Sequence, residues 1–207
     1  MHHRAWPLTC ALLIAASVAL WLAGISGHVV PQHWLWHAEF WPRQPWTLWT
    51  GPLLHFLGAH LAGNALALAA LAVLGAALHA PRADALALLL AWPLGTLALL
   101  AWPAVGGYYG LSGPVHAAAA ILALRALQAP ATRWLGLPLA GGLLIKLALE
   151  RGWAVPVGFD SGWGFNVVFA AHLSSAAVGA ALALALQVVG LMIDMLAPKE
   201  GQTIYDP

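Results

Sequence analysis

The sequence is short of charge. Asp, Glu, Lys and Arg make up 7% of its 207 residues, against roughly 25% in a soluble domain. So few charges cannot clothe a water-facing surface of ordinary polarity, which argues against a soluble enzyme. With 62% hydrophobic residues a disordered chain is excluded as well. A net charge of +1 offers no electrostatic footprint for nucleic acid. The single cysteine, Cys10, excludes an intramolecular disulfide framework and any cysteine-built metal site. What the chain has instead is apolar length, with a mean hydropathy of +0.81. It also has 12 Trp and 14 Pro, which suit membrane-interface anchors and helix ends. The composition describes an all-α polytopic membrane protein, a single domain over 1–197 followed by a polar tail over 198–207. No internal repeat or linker divides it.

A membrane-spanning helix needs about 20 mostly apolar residues. Six runs are read as spans, over 8–24, 57–78, 85–101, 112–128, 134–149 and 166–196. Strands of a membrane barrel would alternate in segments of about 10 residues, and these runs are longer and rich in Ala and Leu. Arg4, Arg82, Arg125, Arg133 and Lys199 are assigned to one side, Arg43 and Arg151 to the other. That bias places both termini in the cytoplasm. Arg4 and the small residues Ala15, Ala16 and Ser17 give the first run some likeness to a signal peptide. The apolar run is too long for one and no clean cleavage site closes it, so it is expected to stay attached. Residues 28–52 hold Trp34, Trp36, Trp41, Trp46 and Trp49 with few charges, a segment expected to lie in the interface.

Polar side chains within the spans are expensive and ask for a reason. They gather at three places: His55, His60 and Asn64; Ser112 and His116; Asn166, His172, Ser174 and Ser175. With the N-terminus inside, all three sets lie at the beginnings of even-numbered spans. They therefore share a depth within about 10 Å of the outer surface at about 1.5 Å rise per residue. His60 and Asn64 are four apart and face one way, as are Ser112 and His116. A serine becomes a nucleophile when a base takes its proton, and histidine is the usual base. An oxyanion needs donors such as amides, imidazole N–H groups or backbone N–H groups. Ser112 stands in Gly110-Leu111-Ser112-Gly113, whose glycines permit a sharp turn, and it is placed as a helix N-cap.

Each set also has a plainer reading. The glycine–serine turn can be a helix cap alone. His60 and Asn64 can join two helices by hydrogen bonds, and His172 can pair with a carbonyl or mark an ion path. No HExxH pattern and no carboxylate occur in the cluster, so neither metal nor cofactor is expected. Glu150 and Asp160 lie on the outer side. A third-member role in a triad is open to either, but they read rather as helix-end and loop charges. Lys146 and Glu150 are spaced to pair at i,i+4.

Taken together, His60-Leu61-Ala62-Gly63-Asn64, Gly110-Leu111-Ser112-Gly113, and Ala171-His172 with Gly179 seven residues on resemble the rhomboid family of intramembrane serine proteases. The resemblance covers residues 8 to 190 and implies a six-helix bundle. It implies Ser112 as nucleophile, His172 as general base, and Asn64, His60 and the Ser112 N–H as oxyanion donors, with Gly110, Gly113 and His116 in support. His116 would occupy the place of an aromatic residue packed on the base. The GLSGxxH form, the small size, and Lys146 and Glu150 late in span five are most similar to the rhombosortase branch. That branch implies a bacterial inner membrane, an active site toward the periplasm, and exported substrates with a C-terminal Gly-Gly motif, one membrane helix and a basic end. The released acyl group would pass to water or to an amine-bearing lipid. Two departures stand out: Trp46 is followed by Thr47 where many rhomboids have Trp-Arg, and Ser175 stands where a glycine often follows the base. The competing readings are an inactive rhomboid-like membrane-helix binder, a small transporter lined by His60, His116 and His172, and a structural subunit. The last leaves the aligned clusters unexplained.

Overall fold

The computed structural model describes residues 4–196; the polar tail over 198–207, with Lys199, lies outside the described residues. Six long helices follow in order, α1 (Ala5–Ile25), α3 (Gly58–Ala77), α4 (Arg82–Leu97), α5 (Ser112–Gln128), α6 (Arg133–Glu150) and α7 (Phe169–Leu196), with a single turn, α2 (Thr47–Thr50), in the first loop. Among the described residues four are long and apolar enough to cross a membrane: α1, α3, α4 with its 3₁₀ continuation to Ala101, and α7. The other two fall short on simple grounds. α5 has 17 residues, and α6 carries Arg133, Lys146 and Glu150 within its 18. Leu66, Val73, Leu144, Ile145 and Leu149 project outward on α3 and α6, more than 60% exposed, the outer face of an apolar bundle for which lipid is the natural solvent.

The span limits expected from the sequence shift where local chemistry intervenes. α4 begins at Arg82, so Asp84 sits inside its first turn, buried to 1% exposure. There it takes a bidentate pair from Arg125 at 2.8 and 2.9 Å. Arg125 belongs to the last turn of α5 and not to a connection between spans. The carboxylate at a helix start and the guanidinium at a helix end also suit both macrodipoles.

The last helix begins at Phe169, not at Asn166. Strands β3 (Gly158–Asp160) and β4 (Phe165–Val167) form an antiparallel hairpin in which Asn166 pairs with Phe159. Asp160 Oδ1 accepts the N–H groups of Gly162 and Trp163 and Gly164 has φ +74°, so the turn chemistry ends one element before the helix starts.

The Trp-rich loop is not uniformly at the surface. Trp46 and Trp49 are nearly half exposed, whereas Trp36 is fully buried. Trp36 lies in β1 (Trp36–His37), which pairs with β2 (Gly107–Tyr108). Gly51 accepts the N–H of Gly110 at 3.3 Å, and a Cβ on Gly51 would come within 2.9 Å of Trp36 Cβ. The loop is thereby fastened to the turn that leads into α5.

α5 lies at the centre and packs most extensively on α7, then on α6, α4 and α3. Small residues set the distance. A Cβ on Gly179 would lie 3.0 Å from Ala117 Cα, and one on Gly113 2.7 Å from Ser175 Oγ. The serine in place of a glycine at 175 therefore leaves the close approach of α5 and α7 intact. Ser174 caps the α4–α7 contact by donating to the Gly95 carbonyl at 3.0 Å.

Candidate active site

Ser112 is the first residue of α5. The residue before it, Leu111, is the cap, with helical dihedrals and no side-chain capping bond, so the expectation that Ser112 caps the helix is corrected. Its hydroxyl is not engaged in capping. Gly110 holds φ +103°, a region that strains any side chain, and a Cβ there would meet His60 Cε1 at 2.8 Å. Tyr108 braces this turn from beneath: its hydroxyl donates to the Gly110 carbonyl at 2.6 Å and accepts the Gly113 N–H at 3.0 Å. Complete burial pushes the phenol up to about 12, so it stays a neutral donor.

Ser112, His60, Asn64, His116, Lys146 and His172 line one cavity of about 230 Å³, roofed by Trp163 and Val167 of the hairpin. Members of each of the three polar sets meet here, whereas His55, Asn166, Ser174 and Ser175 do not line this cavity. Trp163 and Phe165 lie over the His60 ring at 5.5 and 5.1 Å between centroids.

His172, buried in the first turn of α7, has its two ring nitrogens in opposite circumstances. Nδ1 is 2.8 Å from Glu150 Oε2, whereas Nε2 is buried without a hydrogen-bond partner. A carboxylate accepts, so the proton belongs on Nδ1 and the Nε2 lone pair is free. His116 stacks on the same ring, with centroids 4.1 Å apart and planes 9° from parallel. Its own Nδ1 donates to the Ser112 carbonyl at 2.6 Å, which fixes its tautomer and orientation.

Glu150 is a helix-end charge, as the sequence suggests, but its Oε2 reaches His172 Nδ1, where the sequence reading expects no carboxylate in the cluster. It also takes Lys146 at 2.5 Å on its other oxygen. Its 22-residue separation from His172 hides it from any local motif. Asp160 is the turn residue described above.

His55, to which the sequence assigns no role, supports Asn64. It lies before α3, and Nδ1 donates to the Leu53 carbonyl at 3.1 Å. Nε2 then accepts from Asn64 Nδ2 at 3.2 Å and from the Leu111 N–H at 3.4 Å. Burial first, and then the neighbouring His60, press its pKa down to about 4, against the carbonyl's contrary pull. A neutral His55 thus orients the Asn64 amide and leaves its second N–H uncommitted. Asn166 lines a smaller adjoining cavity with His60 and Ser112.

His116, Glu150 and His172 bring potential ligand atoms within 4.8 Å of one another, yet they do not fit a cation. Imidazole lone pairs lie in the ring planes, and two stacked, nearly parallel rings cannot aim them at a common point.

A model of the Rhomboid domain matches residues 42–188, which takes in the later part of the first loop, the residues that line the cavity and most of α7. The chain therefore belongs to the rhomboid family, a family of intramembrane serine proteases, and is a multi-pass membrane protein. No curated protein matches it.

Proposed function

We propose that the protein is an intramembrane serine endopeptidase working through Ser112 and His172. The observation that carries this reading is the bare, buried Nε2 of His172, whose Nδ1 is held by Glu150, in the same cavity as Ser112. Ser112 Oγ attacks the scissile carbonyl while His172 Nε2 takes its proton. The negative oxygen is met by the Ser112 N–H, the free Asn64 N–H and the His60 ring. His172 then protonates the leaving amine, and the ester on Ser112 is released by a second nucleophile activated by the same nitrogen. Ser112 and His172 do not hydrogen-bond in the resting geometry, as is common before substrate aligns such groups.

In this reading residues 1–197 form one membrane domain of six spans in the bacterial inner membrane. Both termini are cytoplasmic and the cavity faces the periplasm. A substrate helix must unwind near its outer end before attack, which glycine makes cheap. Together with the GLSGxxH form, the stacked His116 and the Lys146–Glu150 pair support a rhombosortase-like enzyme. Its substrates are exported proteins with a Gly-Gly motif, one membrane helix and a basic end, and its acyl acceptor is water or a lipid amine. The test is co-expression with a secreted reporter bearing such a tail. Loss of the tail, dependent on Ser112, with the mass of the new C-terminus reading water or lipid as acceptor, is expected. A reporter that keeps its tail beside wild-type protein, while another membrane-helix substrate is cut, would overturn the tail assignment.

A further inference from the structure

We infer that Glu150 is a positioning residue that completes a Ser112–His172–Glu150 triad, in place of a bare dyad. The inference rests on the protease reading above. Local physics gives Glu150 no reason to be where it is. It is the last residue of α6, where the macrodipole disfavours a carboxylate. It follows Lys146 in the less favoured i,i+4 order. The compensation is tertiary. Arg151 adopts a left-handed conformation with φ 51° and ends the helix. A Cβ on Gly152 would lie 2.6 Å from the Phe169 carbonyl, so a glycine is what lets the end of α6 close on the start of α7. Leu147, Ala120 and Ala176 pack together at the same junction. This approach delivers Oε2 to His172 Nδ1 at 2.8 Å, with Glu150 only 12% exposed.

The two carboxylate oxygens divide the work. Lys146 holds Oε1 and fixes the plane of the group, leaving Oε2 for the imidazole. When the Ser112 O–H bond breaks and Oγ bonds to the acyl carbon, the proton passes to His172 Nε2. The Nδ1 proton stays on nitrogen, hydrogen-bonded to an ionised Glu150, and the imidazolium formed faces a full negative charge. His116, stacked on the ring face, prevents rotation about the Nδ1–carboxylate axis. Glu150 touches no reacting atom and acts through His172 alone.

The test is the concentration dependence of covalent labelling by a fluorophosphonate, with wild type, Glu150→Gln and Lys146→Met compared. Glu150→Gln is expected to lower the maximal labelling rate by roughly 10²- to 10⁴-fold, as for a triad acid made neutral. The probe concentration at half-maximal rate should change by less than about threefold. Lys146→Met, which breaks the same ion pair but spares the imidazole contact, should lose at most about tenfold. Formate should recover part of the rate in Glu150→Ala and none in Ser112→Ala. Glu150→Gln labelling at the wild-type rate, or equal losses in the Gln and Met variants, would reduce Glu150 to a structural ion pair. Nitrogen NMR of wild-type His172 guards against variants that fail to fold. A protonated, strongly downfield Nδ1–H is expected, and an unprotonated Nδ1 would overturn the inference. Wild-type protein that shows this proton yet never labels would sink the protease reading and leave the Glu150–His172 contact standing.

Discussion

Single side chains in this cavity are assigned by what their second atoms do. His172 and His116 each use Nδ1 for a fixed acceptor, and His55 does the same toward Leu53. Proton positions at three histidines follow from acceptors that cannot donate. His55 should make the protein acid-sensitive. Its folded pKa, about 4, lies below the ordinary 6.5, so below pH 6.5 the unfolded chain binds the proton more readily and stability falls toward pH 4. A His55→Gln variant should show a flatter loss of melting temperature between pH 7 and 5; an unchanged slope would count against it. Tyr108→Phe removes the hydroxyl shared by Gly110 and Gly113. It should cost about 1–3 kcal/mol and loosen the Ser112 turn, read as a lower melting point and slower labelling together. Ser112, His116, His60, Asn64 and His172 were legible in the sequence as candidates because each is a polar residue set in an apolar run. Glu150 and the bonds of His55 were not, since each depends on contacts between distant segments.

Helices here are placed by small residues and by the Asp84–Arg125 ion pair. The α5–α7 seam admits no branch at Gly179, where Ala117 backbone lies 3.0 Å from a would-be Cβ. Gly179→Val should cost about 1–3 kcal/mol through overpacking and displace His172 relative to Ser112. Thermal unfolding and labelling should fall together, and Gly179→Ala should be milder. At the other end of the bundle, Asp84→Asn leaves Arg125 without its carboxylate and should cost about 3 kcal/mol, with labelling by surviving folded protein unchanged. The long helices were readable as apolar runs, and α5 keeps the limits the sequence suggested. The start of α7 was not, because the apolar run Val167 to Ala171 hides the switch from strand to helix at Val168. Trp36 likewise reads as an anchor by type and is core by position.

For the whole molecule the consequence is a polar chamber enclosed by an apolar exterior. Trp163 and Val167 of the β3–β4 hairpin and the stacked His116 and His172 line it. The tertiary structure brings residues of all three polar clusters to one cavity. The central claim is that this chamber activates a serine. Fluorophosphonate labelling of detergent-purified wild type beside Ser112→Ala and His172→Ala tests it most directly. The account predicts a labelled wild type and no label in either variant. A folded wild type that takes no label, or a His172→Ala variant that labels as fast as wild type, would contradict it.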